Sequence, residues 1–145
     1  MKIRLITVGK LKSKGGFKEL DLFYRQRISP YCKLEIIELK EKGDIESESA
    51  AIKNSITAGS FVIALREKGD SFNSADFSKF LEKKFETHGE ICFVIGGAYG
   101  YNDINEDVSV SIAPWTLPHQ LARIVLLEQI YRSFSIMKGS GYHHA

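Results

Sequence analysis

The chain has 145 residues, of which 43% are hydrophobic and 26% are charged, and its formal net charge is only +2. This size and balance predict a single compact domain over residues 1–145 and exclude an intrinsically disordered chain. No apolar run approaches the roughly 20 residues that span a bilayer, so no membrane partner is expected. The alternating residues Met1–Leu5 indicate a strand and not a signal peptide, which favours a cytoplasmic location.

Strand and helix signals alternate from one end of the chain to the other. Short apolar runs predict strands, and apolar residues spaced by three or four predict helices. In chain order the predicted elements are strand Ile3–Val8, helix Phe17–Ile28, strand Leu34–Leu39, a helix that follows the acidic segment Glu41–Ser49 and ends near Ala58-Gly59, strand Phe61–Leu65, a helix capped by Asn73 or Ser74 and ending near Thr87, strand Ile91–Ile95, a short helix from Asp103, a strand near Val108–Ala113, and helix His119–Met137. Strands separated by helices indicate an α/β fold with a largely parallel sheet.

The two cysteines, Cys32 and Cys92, lie within or beside apolar runs. Two buried free thiols in a reducing compartment are therefore favoured over a disulfide. No histidine or second cysteine stands at ligand spacing near either of them, so the sequence predicts no metal site.

In parallel α/β sheets ligands bind beyond the carboxyl ends of the strands, which directs attention to three segments. They are Leu65-Arg66, Gly96–Gly100 and Ala113–Pro118. The glycine-rich segment lacks the Gly-Lys-Ser/Thr of a P-loop and does not follow the first strand as a Rossmann fingerprint does. A Gly-Gly turn after a strand is more often structural than functional, so this segment alone decides little.

Two prolines, Pro114 and Pro118, bracket the apolar segment that precedes the last helix. Each fixes its own φ, lacks an N–H and keeps the preceding residue extended, so residues 113–118 cannot wind into a helix. Apolar side chains beside free backbone groups would suit an adenine ring. An ordinary hydrophobic connection buried beneath a helix explains the pattern equally well, and both interpretations stay open at this point.

Positive charge is concentrated near the amino terminus, since residues 1–40 carry a net charge of +6 and residues 41–145 carry −4. Lys10, Lys12 and Lys14 crowd the loop after the first strand. A charged cluster is usually a solvated surface, so this is weak evidence for a phosphate-rich partner.

The last predicted helix carries an apolar stripe that is typical of a protein core or an oligomer interface. Its Glu128 and Arg132 are four residues apart, a spacing at which the two side chains pair on a helix surface.

Several short motifs occur in a specific order: Gly96-Gly97-x-x-Gly100, Thr116-Leu117-Pro118-His119, Arg123, Glu128-Gln129-x-Tyr131-Arg132 and Tyr142-His143. Together they resemble the ribosomal RNA large subunit methyltransferase H family, small members of the SPOUT class of S-adenosylmethionine-dependent methyltransferases. The resemblance extends over essentially the whole chain. It implies a SPOUT-type α/β fold with a parallel sheet, helices on both faces and a deep C-terminal trefoil knot, and it implies a homodimer that needs no metal.

The resemblance also implies where the methyl donor, S-adenosylmethionine, binds. The segment between the two prolines would be a knot loop that wraps the adenosine part of the donor. Carried over position by position, the cofactor contacts are Leu65, Gly97, Ala113, Pro114, Trp115, Thr116, Leu117 and Pro118.

The implied reaction is methylation of N3 of a pseudouridine in 23S rRNA of the assembled ribosome. Candidate groups for the proton and the RNA are His143, Tyr142, Arg132 and His119, with His143 preferred as the base because imidazole titrates near neutral pH. In the family the Tyr-His pair of one subunit lies near the other subunit's donor site. Arg132 would hold a phosphate or the edge of the target base.

The resemblance turns the basic amino-terminal loop, together with Arg25 and Arg27, into a candidate contact for rRNA phosphates. Two other functions remain as alternatives. One is a catalytically inactive ribosome-binding or assembly module that retains the knotted donor pocket. The other is a generic nucleotide-binding α/β protein of flavodoxin-like outline.

Overall fold

The computed structural model describes residues 1–144, which form five strands and four helices. In chain order these are β1 (Lys2–Val8), α1 (Phe17–Ile28), β2 (Lys33–Leu39), α2 (Ile45–Ser55), β3 (Phe61–Ser71), α3 (Ser74–Thr87), β4 (Glu90–Ile95), β5 (Val108–Ser111) and α4 (His119–Met137). None of these helices is both long enough and apolar enough to cross a membrane. The predicted bounds of α1 and α4 are confirmed.

All five strands belong to one parallel sheet with the order β2-β1-β4-β3-β5. Leu5 of β1 is level with Ile36 of β2 on one side and with Phe93 of β4 on the other. Because all strands run the same way, their carboxyl ends lie along a single edge, called the carboxyl edge below. The predicted parallel α/β sheet is confirmed.

Helices cover both faces of the sheet, as expected. One core holds buried side chains of α1, α3 and α4, including Ile28, Leu81 and Leu127. The other core holds Ile52 of α2, which packs with Ile6 of β1. Successive strand residues point to opposite faces, so each central strand contributes to both cores. α4 packs against both α1 and α3.

Side-chain caps fix the starts of two helices. The Asp44 carboxylate accepts a hydrogen bond from the backbone N–H of Ser47 at 2.7 Å and begins α2. Asn73 accepts one from the backbone N–H of Asp76 at 2.8 Å and begins α3, so Asn73 and not Ser74 is the cap. These bonds satisfy N–H groups that have no partner inside the helix.

Two predicted element ends were wrong. α2 stops at Ser55 and not near Ala58-Gly59, because Ile56 is already extended, with φ −80° and ψ 128°. β3 runs past Leu65 to Ser71, with a register shift in its pairing to β5 between Leu65 and Asp70. A strand that is buried at its start and exposed at its end escapes a prediction based on apolar runs alone.

The short helix predicted from Asp103 is absent, and residues 101–106 are irregular. Two backbone N–H groups here bond to side chains, one to Ser49 of α2 and one to Glu106 within the segment. The Asn102 N–H donates to Ser49 Oγ at 2.8 Å, and the Ile104 N–H donates to Glu106 Oε1 at 3.2 Å. Asn105 also has a φ of 60°, outside the right-handed helical region.

Both cysteines are buried and free, as predicted. Burial raises the pKa of the Cys32 thiol to about 11 and that of Cys92 to about 12. Each therefore stays protonated near neutral pH and behaves as a small apolar core residue.

Candidate functional site

A cavity of about 800 Å³ lies at the carboxyl edge, beside residues 65–67 of β3 and beyond the ends of β4 and β5. Three segments named in the sequence analysis form its wall. The lining residues are Leu65, Arg66, Glu67, Ile95, Gly96, Gly97, Ala98, Tyr99, Gly100, Tyr101, Ser111, Ile112, Ala113, Trp115, Thr116, Leu117, Pro118, His119 and Ala122. This is the edge at which ligands of parallel α/β sheets bind.

The glycine turn at the end of β4 requires glycine because its neighbours approach the backbone closely. A Cβ at Gly96 would overlap the ring of Tyr101. A Cβ at Gly97 would lie 3.2 Å from Val8 Cγ1 and 3.3 Å from Glu48 Oε1. Gly100, with a φ of 76°, closes the turn by donating its N–H to the Gly97 carbonyl at 3.1 Å. Glycine at these positions therefore lets the turn pack closely against Tyr101, Val8 and Glu48 while it lines the cavity.

A polar cluster of Arg66, Tyr101 and Glu106, called the Arg66 cluster below, fixes this turn against the sheet. The Arg66 guanidinium pairs with Glu106, with its Nε 2.5 Å from Glu106 Oε2. It also donates to the Tyr101 and Asn102 carbonyls, each at 2.8 Å. Its Cζ lies 4.1 Å from the centroid of the Tyr101 ring.

The Tyr101 hydroxyl lies between the ends of two neighbouring strands. It is 2.8 Å from the Leu65 carbonyl of β3 and 3.1 Å from the Val94 carbonyl of β4, and its single proton is shared between these two acceptors. Burial raises the pKa of Tyr101 above its ordinary value, which keeps the hydroxyl protonated as a donor. The cavity wall is thus cross-linked at the position where the sheet ends.

Glu106 is ionised throughout the physiological range. Partial burial by itself raises the pKa of this carboxyl, but the hydrogen bonds from Arg66 and the Ile104 backbone and the guanidinium charge together lower it to about 2. In the sequence, Arg66 is a candidate only by its place after Leu65, and no pattern singles out Tyr101 or Glu106. No local sequence pattern could indicate this ion pair, because 40 residues separate Arg66 from Glu106.

The structure brings seven of the eight expected cofactor contacts together at the cavity. The exception is Pro114, which does not line it. Thr116 donates its hydroxyl to Glu67 Oε1 at 3.0 Å, which joins the segment between the prolines to β3. Trp115 is 81% exposed, an unusual state for the largest apolar side chain. Pro118 precedes α4 with φ −54° and ψ 142°, so the segment is irregular up to His119, as expected.

The candidate catalytic residues form a second group, called the tail cluster below, on the last turns of α4. Glu128 Oε1 accepts hydrogen bonds from Arg132 Nε at 2.8 Å and from the Tyr142 hydroxyl at 3.1 Å. Arg132 Nη1 lies 3.0 Å from His143 Nδ1. The Glu128–Arg132 pairing expected from their spacing is thus present, and the tail folds back onto its own helix.

Tyr142 in this cluster is a hydrogen-bond donor at neutral pH. Burial, followed by the nearby Glu128 carboxylate, raises its pKa to about 12. Arg132 stays cationic, because its hydrogen bond to Glu128 raises its pKa further. Two groups of the tail cluster can accept a proton, the Glu128 carboxylate and the His143 imidazole, and the Nδ1 atom of His143 faces Arg132.

The cavity and the tail cluster do not meet within one chain. His119 lines the cavity at the start of α4, whereas Arg132, Tyr142 and His143 do not. Thirteen residues of helix separate His119 from Arg132, about 20 Å at the rise of an α-helix. Within residues 1–144, no group of three or more His, Cys, Asp or Glu side chains is placed to hold a metal.

Comparison with known proteins identifies the family of this chain. Residues 1–143 match a family model described as "Predicted SPOUT methyltransferase". The chain is 42% identical to the ribosomal RNA large subunit methyltransferase H of Syntrophotalea carbinolica and 40% identical to that of Clostridium acetobutylicum, with 99% of each chain covered in both cases. The protein of the same name from Leuconostoc mesenteroides is 40% identical, again over 99% of both chains.

The chain therefore belongs to the SPOUT methyltransferases and, among them, to the ribosomal RNA large subunit methyltransferase H family. The resemblance drawn from the glycine turn, the Thr-Leu-Pro-His motif and the Tyr-His tail is confirmed at the level of the family.

Proposed function

We propose that this protein is an S-adenosylmethionine-dependent methyltransferase that methylates N3 of a pseudouridine in 23S rRNA of the assembled ribosome. The observation that carries the proposal is the cavity at the carboxyl edge, built from the glycine turn and the segment between the two prolines. The membership of a methyltransferase family whose relatives are named for large-subunit rRNA supports the choice of substrate. Such a substrate also supports a cytoplasmic location.

The cavity suits the donor in shape and chemistry. Its volume of about 800 Å³ lies in the range of pockets for small molecules and cofactors. Gly96 and Gly97 line it and carry no side chains, so a purine or a ribose can approach the backbone there. In this proposal Leu65, Gly97 and the residues from Ala113 to Pro118 hold the donor, and the last of these segments is the knot loop of the family.

Methyl transfer to N3 forms one nitrogen–carbon bond and releases the proton that the nitrogen carried. When bound, S-adenosylmethionine supplies the methyl group on a positively charged sulfonium, which departs as a neutral thioether. The chain must hold the base in line with that methyl group and accept the proton. We assign the role of proton acceptor to His143. In this proposal Tyr142 donates a hydrogen bond to the target base, and Arg132 holds a phosphate or the edge of that base.

A homodimer that combines the cavity of one subunit with the tail cluster of the other is part of the proposal. Its support is the separation of about 20 Å along α4 between the two groups in a single chain. The cavity of one chain lacks Arg132, Tyr142 and His143 of that same chain, and within residues 1–144 these three residues have no such cavity of their own beside them. Association of two copies supplies both halves at one place.

The proposal is tested with labelled S-adenosylmethionine and ribosomes from cells that lack the modification, with separate subunits and free rRNA as parallel substrates. We expect label at a single pseudouridine, in whole ribosomes only. Donor binding without any transfer would replace the proposal with an inactive ribosome-binding or assembly module. No donor binding at all would refute the assignment of the cavity.

A further inference from the structure

A second, smaller cavity opens near the same carboxyl edge, beyond the end of β1 and beside the second half of β2. Its volume is about 250 Å³. Its wall is formed by Lys10, Leu11, Lys18, Asp21, Arg25, Ile36, Glu38 and Arg123. We call it the basic cleft, because four of these side chains are cationic and only two are carboxylates.

The floor of the basic cleft is an ion-paired network that is already neutral. Arg123 is buried, and its Nε lies 2.9 Å from Asp21 Oδ1 while its Nη1 lies 2.7 Å from Glu38 Oε2. Arg25 adds a longer contact of 3.5 Å to the other Asp21 oxygen. Two guanidinium groups therefore balance two carboxylates.

The surplus charge of the cleft belongs to Lys10 and Lys18. Both are exposed, and neither forms an ion pair among residues 1–144. Lys10 leaves the end of β1, and Lys18 stands on the first turn of α1, so the two approach the cleft from different elements. Two ammonium groups without an ion-pair partner in the described part of the chain, beside a floor whose charges balance, favour the binding of an anion.

The basic cleft is a neighbour of the larger cavity. Ala122 of α4 lines the larger cavity, and the next residue, Arg123, lines the cleft. The β1 loop is tied to the same helix, because the Lys12 N–H donates to Gln120 Oε1 at 2.6 Å. In the sheet order, the two openings are about two strand spacings apart, roughly 10 Å.

We propose that the basic cleft binds a backbone phosphate of the RNA, close in sequence to the nucleotide that is methylated, with Lys10 and Lys18 as its ligands. This inference rests on the proposed function and assigns the phosphate contact within it. It also sorts the basic residues of the amino-terminal region. Lys12, Lys14 and Arg27 lie outside the cleft, and the Arg27 guanidinium stacks on the Phe23 ring at 3.4 Å.

The test compares two double variants of equal charge change. Lys10→Ala with Lys18→Ala empties the cleft of its ligands, and Lys12→Ala with Lys14→Ala is the matched control, since all four lysines are exposed. The KM for unmodified ribosomes is measured over a range of salt concentrations. Binding of a short RNA oligonucleotide and of S-adenosylmethionine is measured in parallel.

We expect the cleft variant to raise the KM several-fold and to reduce the slope of log affinity against log salt by about one, the contribution of one phosphate. The control should keep the slope, and both variants should keep the affinity for the donor. Equal effects of the two double variants, or no effect of either, would overturn the inference. Wild-type protein that binds the oligonucleotide through the cleft but fails to methylate ribosomes would instead refute the proposed function.

Discussion

At the scale of single residues, the Tyr101 hydroxyl is the group that most directly couples the cavity to the sheet. Tyr101→Phe removes the donor that lies 2.8 Å from the Leu65 carbonyl and 3.1 Å from the Val94 carbonyl. We expect a loss of roughly 1 kcal/mol in the free energy of unfolding, because two partly buried carbonyls lose a partner. Donor affinity should fall several-fold, since Leu65 is a proposed contact.

Tyr99→Phe is the matched control for Tyr101→Phe. Tyr99 lines the same cavity but is 70% exposed. Chemical denaturation and calorimetric titration with S-adenosylmethionine measure both quantities. Equal donor affinity of the two variants would show that the hydroxyl of Tyr101 does not position the donor site.

The Glu106 carboxyl makes the fold sensitive to acid. Its pKa is lowered from 4.5 to about 2 in the folded protein, so the ionised form favours folding. The stabilisation is fully present above pH 4.5 and should be lost as the pH falls towards 2. Glu106→Gln should flatten the decline of the unfolding free energy over this window. The exposed carboxylate variant Glu82→Gln is the control, and an equal flattening by both would contradict the assignment.

At the scale of elements, the sequence predicted those helices whose bounds are set by neighbouring residues. The apolar spacing of Phe17–Ile28 and the capping side chain of Asn73 define α1 and α3 directly. The short polar segment that begins at Asp103 was predicted to be a helix. It is irregular, and Ser49 and Arg66, both distant in the chain, bind backbone groups of the two residues that precede Asp103. The local sequence pattern cannot predict such contacts with distant side chains.

The same distinction applies to the functional site. The glycine turn and the segment between Pro114 and Pro118 can be recognised in the sequence by their residue types and by their place after strands. The wall that supports them does not, because Arg66 acquires its role from Glu106 and Tyr101 through the fold. The basic cleft was visible in part, as a lysine-rich loop. Only the structure separates Lys10, which lines the cleft, from Lys12 and Lys14.

At the scale of the whole molecule, α4 carries both halves of the proposed chemistry on opposite ends. His119 faces the larger cavity at its first residue, and Arg132 holds the tail cluster three to four turns later. Because all five strands are parallel, the larger cavity and the basic cleft open near one edge of the sheet, whose strand order is β2-β1-β4-β3-β5. Hydrophobic periodicity predicts neither this strand order nor which sites the two ends of α4 approach, because it specifies elements and not their arrangement.

A catalytic site shared between two subunits predicts rescue between two inactive variants. Leu117→Arg places a long charged side chain at the cavity wall and should abolish donor binding. His143→Ala removes the proposed proton acceptor and should lower methyl transfer by about a hundredfold or more, with donor affinity unchanged. Each variant alone should form a dimer with two defective sites. Sedimentation verifies the dimer, and a monomer at micromolar concentration would refute the shared site at once.

Refolding the two variants together in equal amounts gives half mixed dimers by random pairing. Each mixed dimer has one site that joins the intact cavity of the His143→Ala subunit to the intact tail of the Leu117→Arg subunit. About a quarter of wild-type activity should therefore return. If the tail instead serves the cavity of its own chain, every site in the mixture retains one defect and no activity returns. The mixture thus decides between the two arrangements by a measurement on the intact protein.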